Sequence, residues 1–208
     1  MDYDFDKLIA NLESDLNASR VSSRVLLNRL CMIDENSRTT APYLDEKYCP
    51  YYYYLGKYIP ATSLMEVGFS LGLFSACFLS SCKTVEHFIG FKEEKENEFI
   101  PLNLAKTNIK KVYKKKQDYF IGQIYDENFQ KILPKKISVI LFNEEVDYDL
   151  HRKYFDFFWD YLDEGGLFVM DYIDRHKAAR EAFADFCFGE RIEPKYFKTR
   201  YGTGLVRK

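Results

Sequence analysis

The chain has 208 residues, 30 basic against 32 acidic side chains, a formal net charge of −2 and 47% hydrophobic residues. This length suits one domain with a sizeable core, and the near-neutral charge argues against a nucleic-acid partner. No apolar run approaches the roughly 20 residues that a membrane-spanning helix needs. The acidic start MDYDFDKL lacks the features of a secretory signal, so we expect neither a membrane partner nor secretion.

Cysteine usage indicates a reducing compartment. The five cysteines are Cys31, Cys49, Cys77, Cys82 and Cys187, and no two of them form a CxxC pair. An odd number without such spacing is typical of neither a disulfide framework nor a structural zinc site. We therefore expect a cytoplasmic protein.

Residues 1–59 are predicted to form a helical extension, or lid, that belongs to the same domain as residues 60–208. Apolar residues over 4–17 recur at the spacing of one helical face, and a second helix is predicted to start near Ser22. The tyrosine run Tyr51–Tyr54 predicts a short third helix. Two roles for these tyrosines stay open: stacking on an adenine or a sugar, and packing between helices.

From residue 63 onward, predicted strands and helices alternate. The strands cover residues 63–67, 85–91, 118–121, 137–142 and 167–170, with two more near 196–200 and 205–207, and the helices cover 71–79, 93–113, 148–162 and 177–186. Glu164-Gly165-Gly166 is predicted to stop the third of these helices, and Asp174 to cap the fourth. The alternation predicts an α/β fold, a Rossmann-like three-layer α/β/α sandwich with a mostly parallel seven-stranded sheet and an antiparallel C-terminal strand.

Ligands of such folds lie beyond the carboxyl ends of the strands. The first strand ends in Glu66-Val67-Gly68-Phe69-Ser70-Leu71-Gly72. Gly68 permits a tight turn, and Gly72 permits close approach of a ligand to the next helix, whose free N–H groups attract anions. The G-x-x-x-G spacing is neither the dinucleotide fingerprint nor a P-loop, and alone it is also compatible with a plain strand-to-helix turn.

Three segments together carry a resemblance to a known family. The stretch LMEVGFSLGLFSACFL resembles the first motif of the class I S-adenosylmethionine-dependent methyltransferases. The segment Leu162–Leu167, followed by Asp171, resembles that family's Gly-Gly turn, strand and acidic residue, and Tyr201–Lys208 resembles its closing hairpin. The likeness covers residues 60–208 and is greatest for small bacterial O-methyltransferases.

The resemblance implies a set of cofactor-binding residues. Glu66, Gly68, Phe69, Ser70 and Gly72 would hold the methionine part of S-adenosylmethionine, Phe91 and Glu93 would lie near ribose and adenine, Gln123 beside the adenine, and Asn143 close to the transferred methyl group. Lys92 falls where the family has its ribose-binding acid. Asn143 and Tyr172 fall at metal-ligand positions, and no metal site is expected because a hard cation needs several carboxylate oxygens.

The loop after the fifth strand holds the candidates for proton transfer, His176 and Asp171. Histidine is the side chain best suited to proton transfer at neutral pH, so His176 is the candidate base, although a solvent-exposed histidine at a helix start is the simpler interpretation. Asp171 would orient the base or an acceptor hydroxyl, or would only cap a turn. His151 is expected on the surface of its helix.

The resemblance implies metal-independent methyl transfer from S-adenosylmethionine to a small-molecule hydroxyl, a sugar being one candidate acceptor. The altered positions Lys92, Gln123 and Asn143 motivate an alternative, in which the chain keeps the fold but has lost catalysis and serves as a binding or assembly module. Formation of a homodimer stays open.

Overall fold

A computed structural model describes residues 1–18, 21–30, 48–95 and 102–208. In chain order the elements are α1 (Phe5–Ala18), α2 (Ser23–Arg29), α3 (Tyr48–Tyr58), β1 (Ser63–Val67), α4 (Leu73–Ser81), β2 (His87–Glu93), α5 (Leu102–Val112), β3 (Lys116–Gly122), α6 (Glu127–Ile132), β4 (Ile137–Phe142), α7 (Tyr148–Tyr161), β5 (Leu162–Met170), α8 (Lys177–Glu190), β6 (Lys195–Phe197) and β7 (Thr203–Arg207). Among these residues no helix is long and apolar enough to cross a membrane.

The strands form one seven-stranded sheet in the order β3-β2-β1-β4-β5-β7-β6. Strands β1 to β5 run parallel, and β7 pairs antiparallel with both β5 and β6. Val67 of β1 lies level with Phe91 of β2 and with Phe142 of β4. Three neighbouring strands therefore end at one edge of the sheet, and the predicted topology is confirmed.

Each face of the sheet is covered by its own hydrophobic core. The helices α1 to α5 pack over one face, and α6, α7 and α8 pack over the other. The central strands β1 and β4 are buried along their whole length, as the continuous apolar run of residues 137–142 requires. This arrangement confirms the predicted three-layer sandwich.

The tyrosines of α3 are packing residues. Tyr48, Tyr51 and Tyr52 are at most 1% exposed, and the ring of Tyr52 stacks on Phe74 of α4 with centroids 4.5 Å apart. Of the two roles left open by the sequence, these contacts favour packing between helices. The division into an extension of residues 1–59 and a domain of residues 60–208 stays a prediction.

Two predicted boundaries are wrong because strand pairing continues further than the apolar pattern. Strand β2 runs to Glu93, which pairs with Gly122 of β3, so Glu93 belongs to a strand rather than to a helix. Strand β5 begins at Leu162, and the predicted stop at residues 164–166 lies inside it. Gly165 has a φ of 72° there, and the register against β4 shifts between Ile137 and Val139. The glycines thus form a bulge in a strand.

The start of α8 also differs from the prediction. His176, not Asp174, is the capping residue, and its side chain makes no capping hydrogen bond. The carboxylate of Asp174 instead accepts a hydrogen bond from Arg180 at 2.7 Å. Arg180, the fourth residue of α8, thus binds the carboxylate that the prediction assigned to capping the helix.

Helix α6 was missed because its six residues carry too little periodicity to be recognised. Its N-terminus is capped by Asp126, whose side chain accepts a hydrogen bond from the Asn128 N–H. Its one buried residue is Phe129, whose ring lies 4.6 Å from Phe91 and 5.1 Å from Phe120 between ring centroids. This side chain anchors the helix to the sheet.

We expect the Phe129→Ala variant to lower the free energy of unfolding by about 3–5 kcal/mol, because it removes a buried ring and leaves a cavity. Urea unfolding followed by circular dichroism measures the change. Gln130→Ala, at an exposed position of the same helix, is the matched control and should stay within about 0.5 kcal/mol of the wild type. A loss below about 1 kcal/mol for Phe129→Ala would contradict the proposed anchoring.

Candidate functional site

A cavity of about 320 Å³ opens at the carboxyl edge of the sheet, above the ends of β1 and β4. Its wall consists of Glu66, Gly68, Ser70, Leu71, Gly72, Leu73, Phe74, Lys92, Lys95, Asn143, Glu144, Glu145 and Tyr172. The volume falls at the lower end of the 300–1,000 Å³ typical of small-molecule sites. The cavity lies where parallel α/β sheets bind their ligands.

The floor of the cavity depends on Gly68. Its φ of 84° is a left-handed conformation, and a Cβ atom there would collide with Asn143 Oδ1 and the backbone N of Glu144. The N–H groups of Gly68 and Phe69 both donate to the Phe91 carbonyl at 3.0 Å. The chain thus bends sharply over β2, passes tightly against the end of β4 and leaves the space above it open.

Glu66 and Asn143 form a buried polar pair in the wall. Glu66 is 2% exposed, and its carboxylate accepts hydrogen bonds from Asn143 Nδ2 at 3.0 Å and from the Ser75 N–H at 3.4 Å. Burial raises the pKa of Glu66 to about 6, although the hydrogen bonds from Ser75 and Asn143 act in the opposite direction. Asn143 Oδ1 is buried and has no hydrogen-bond partner. The pair offers a ligand one carboxylate and one unsatisfied acceptor.

A second charged group closes the side of the cavity next to β2. Lys92 Nζ and Lys95 Nζ donate to the same oxygen, Glu144 Oε1, at 2.8 and 2.7 Å. The Glu144 side chain is 0% exposed. Lys95 also donates to the Glu145 carbonyl at 2.9 Å. Two ammonium groups from the end of β2 thus hold one buried carboxylate from the end of β4.

The mouth of the cavity carries the candidate base. His176 Nε2 lies 3.2 Å from Glu145 Oε1, and Arg175 lies 4.0 Å from the same oxygen. Tyr172 has a left-handed φ of 63°, and its ring stacks on Tyr201 with centroids 5.2 Å apart. The histidine side chain therefore faces a carboxylate in the cavity wall and makes no capping hydrogen bond to its helix.

Asp171 is held away from the cavity. It is 1% exposed and accepts hydrogen bonds from Tyr48 at 2.5 Å and from Thr203 at 3.2 Å. Burial raises the pKa of Asp171 to about 6, while the hydrogen bonds oppose that rise. The carboxyl joins α3 to the sheet next to Tyr172, so its position suits a positioning residue better than a group that contacts a substrate.

The structure brings five of the predicted site residues to the cavity wall, namely Glu66, Gly68, Ser70, Gly72 and Asn143, and His176 contacts Glu145 of that wall. It does not bring the other cofactor candidates there. The rings of Phe69 and Phe91 lie in the two cores, because both side chains point away from the cavity into packed aromatic clusters. Glu93 is buried on the α7 side, where burial first and Glu93 second raise the pKa of Tyr154, and Gln123 is exposed after β3.

Sequence reasoning missed Glu144 and Lys95 and misplaced His151. His151 is 1% exposed, and its Nδ1 lies 2.8 Å from the Asp147 carbonyl one turn earlier. The signal for Glu144 was available, because an acidic residue directly follows β4 and lysines follow β2. What the sequence did not reveal is that these two strand ends flank β1 and bring the charges together.

The sequence predicts no metal site because Asn143 and Tyr172 stand at the metal-ligand positions of the resembling family. Among the described ranges no three histidine, cysteine, aspartate or glutamate side chains converge as metal ligands. Asp171 is occupied by Tyr48 and Thr203, and the Asn143 amide nitrogen is occupied by Glu66. These hydrogen bonds use groups that a cation would have to recruit.

Comparisons with known proteins identify the fold. No family model and no curated protein matches the sequence. Solved structures do match over nearly the whole chain. A Podospora anserina methyltransferase bound to S-adenosylhomocysteine is 11% identical, with a TM-score of 0.65 and coverage of 100% of this chain and 97% of that one.

Two further structures show the same likeness. The O-methyltransferase from Bacillus cereus in complex with S-adenosylhomocysteine is 11% identical, with a TM-score of 0.61 and coverage of 98% and 99%. A Streptomyces achromogenes O-methyltransferase of tomaymycin synthesis, in complex with S-adenosylmethionine, is 11% identical, with a TM-score of 0.66 and coverage of 99% of each chain. The chain has the Rossmann-like fold of these methyltransferases.

The raised pKa of Asp171 predicts a specific pH dependence of stability. A carboxyl whose pKa rises from 3.8 unfolded to about 6 folded binds its proton more tightly in the folded state. The associated stabilisation is complete below about pH 4 and is lost as the pH rises through 6, at about 1.4 kcal/mol per pKa unit. Asp171→Asn removes this titration. We expect the variant to gain roughly 2–3 kcal/mol relative to the wild type between pH 4 and pH 7.

Chemical denaturation at a series of pH values measures this difference. Asp174→Asn changes an exposed neighbouring carboxylate and is the control, whose difference from wild type should vary by less than about 1 kcal/mol. A difference between Asp171→Asn and wild type that is flat with pH would show that Asp171 does not titrate in this way.

Proposed function

We propose that the protein is an S-adenosylmethionine-dependent methyltransferase that acts, without a metal, on a hydroxyl group of a small molecule. The observation that carries the proposal is the open cavity above Gly68, at the carboxyl edge of a sheet with the fold of proteins solved with S-adenosylmethionine or S-adenosylhomocysteine. Neither Phe69 nor Tyr172 fills that space, since the first ring is in the core and the second lines the wall.

The residues in the wall fit this cofactor. S-adenosylmethionine carries a sulfonium and an ammonium group, and the wall offers the Glu66 carboxylate beside the unsatisfied Asn143 Oδ1. N–H groups at the first turn of α4 would hold its carboxylate, since Gly72 has a φ of 65° and places no side chain in the way. Glu66, Ser70, Gly72 and Asn143 would therefore hold the methionine part. The bound cofactor supplies an activated methyl group.

The contribution of the chain is then mostly positional. Methyl transfer needs an acceptor oxygen in line with the methyl–sulfur bond, and fixing two reactants in that geometry accounts for much of a rate enhancement. Asn143 is fixed by Glu66 on the cavity side of β4, which suits a residue that orients the reacting groups. Asp171 would fix the loop that carries Tyr172 and His176.

The cavity mouth suits proton removal from an acceptor hydroxyl. His176 and the Glu145 carboxylate lie 3.2 Å apart, and such a carboxylate stabilises the protonated imidazole that forms when a histidine accepts a proton. The stacked rings of Tyr172 and Tyr201 offer a flat surface beside this pair, which suits a planar or sugar-like acceptor. A sugar is retained as one candidate.

Binding of S-adenosylhomocysteine is the direct test. We expect calorimetric titration to give a dissociation constant well below about 1 mM. A blocking variant belongs at Ser70, in the cavity wall, because a side chain at Gly68 would collide with β4 and disturb the fold. Ser70→Trp should weaken binding at least about tenfold, while Ser14→Trp on the exposed face of α1 should not. No binding to wild-type protein at millimolar ligand would refute the proposal.

A second test addresses the base. With cofactor labelled in its methyl group and fractions of a metabolite extract as acceptors, His176→Gln should lower the transfer rate by about 10²–10⁴-fold and leave cofactor binding unchanged. Lys177→Gln, at the next residue and 86% exposed in its side chain, is the matched control. Unaltered transfer by His176→Gln would remove the histidine from the mechanism, and label found in no acceptor would favour a non-catalytic binding module.

A further inference from the structure

The mouth of the cavity is where an acceptor for the proposed reaction would bind. The cavity volume of about 320 Å³ is near the lower limit for a small-molecule site, so a bound cofactor would occupy most of it. An acceptor would then bind where the wall meets solvent, beside Tyr172 and Glu145. Two side chains from the loop before α8, Arg175 and His176, contact the Glu145 carboxylate there.

Arg175 has a weaker contact with its carboxylate than its neighbours have with theirs. Its Nη1 lies 4.0 Å from Glu145 Oε1, at the limit of an ion pair, whereas His176 Nε2 lies 3.2 Å from the same oxygen. By comparison, Arg180 donates a hydrogen bond to Asp174 at 2.7 Å. The Arg175 side chain is 48% exposed, so a ligand can reach the N–H groups of its guanidinium.

Aromatic rings hold this guanidinium beside the cavity. Its central carbon lies 4.9 Å from the ring centroid of Tyr201 and 5.9 Å from that of Tyr172, and the two rings stack on one another. A guanidinium that already rests on aromatic rings loses less freedom when it binds a ligand. The guanidinium of Arg200 also lies 4.9 Å from the Tyr201 ring and adds positive charge to the same place.

Proton removal from the acceptor would leave the charges at the mouth unbalanced. When His176 accepts a proton, two cations share the single carboxylate of Glu145, and the imidazolium, at 3.2 Å, has the closer contact with it. Arg175 then needs a second anion to offset its charge. A negative charge carried by the acceptor itself would supply that anion and would restore the balance.

Geometry and charge favour a carboxylate as this anion. The planar guanidinium presents two parallel N–H groups, which match the two oxygens of a carboxylate. One negative charge offsets the one positive charge of Arg175, whereas a doubly charged phosphate would also face Glu145. Because Arg175 and His176 contact the same oxygen, one small molecule can present its carboxylate to the arginine and its hydroxyl to the histidine.

We propose that Arg175 binds a carboxylate of the methyl acceptor, so that the protein methylates a hydroxy acid and discriminates against neutral alcohols and phenols. This assignment rests on the proposed function of the cavity. It makes Arg175 a specificity-determining residue that selects the acceptor and takes no part in binding the cofactor. Among sugars, only those that carry a carboxylate meet the requirement.

The test uses S-adenosylmethionine labelled in its methyl group, with a metabolite extract as the source of acceptors. We expect the labelled product to be retained by an anion-exchange column at neutral pH and to lose this retention only when its carboxylates are converted to neutral amides. A phosphate monoester would instead lose it after phosphatase treatment. Either that result or label in unretained products alone would overturn the assignment while the proposed function stands. Label in no product would contradict both.

Variants then assign the selectivity to the arginine. Over a dilution series of the retained acceptor, Arg175→Gln should raise the apparent KM about tenfold to a hundredfold, the range for hydrogen bonds to a charged group, and change kcat less than about threefold. Arg175→Lys keeps the positive charge and should recover part of the loss.

The matched control is Arg24→Gln at an exposed position of α2, which should alter neither constant. Every variant should bind S-adenosylhomocysteine as the wild type does, which verifies that the chain is folded. An unchanged KM in Arg175→Gln, or a loss confined to kcat, would show that Arg175 does not bind the acceptor.

Discussion

The close approach of the β1–α4 turn to the end of β4 is the constraint on which the site depends. Gly68 has no side chain, and the backbone at Asn143 and Glu144 occupies the space that a Cβ would need. This contact fixes the height of the turn, keeps Phe69 in the core and brings Asn143 within hydrogen-bond distance of Glu66. The cavity is therefore a consequence of how two strand ends pack, and its polar groups are set by the same contact.

The charges around the cavity are arranged so that few are left without a counterpart. Glu66 is buried with an amide and an N–H, Glu144 with two lysines, and Asp171 with two hydroxyls. Burial raises the pKa values of Glu66 and Asp171 to about 6, close to the pH values found in cells. Two of the buried acceptors without a hydrogen-bond partner, Asn143 Oδ1 and Glu144 Oε2, belong to residues of the cavity wall.

The fold could be predicted from the sequence because its signals are local and repeated. The apolar run of residues 137–142 became β4 with the predicted bounds, and the alternation with helices predicted the layers correctly. Boundaries failed where pairing with a neighbour outweighed local pattern, as at Glu93 and Gly165. The prediction missed helix α6 because a single buried phenylalanine gives no periodic pattern.

Only the part of the site formed by residues next to the strand ends could be predicted from the sequence. Gly68 and Asn143 directly follow strands, Gly72 precedes the helix after β1, and all three lie in the cavity wall as expected from the strand ends, whereas Phe91 and Glu93 were assigned without knowing which face each would take. Lys95 and Glu144 required the strand order, since β2 and β4 are separated in sequence by some fifty residues and meet only across β1. Long-range ion pairs of this kind leave no local trace.

The most direct measurement is a crystal structure of the protein grown with saturating S-adenosylhomocysteine. The account predicts the nucleoside in the cavity above Gly68, with its amino-acid end beside Glu66 and Asn143. A ligand bound elsewhere, or a cavity that stays empty at saturation, would contradict it.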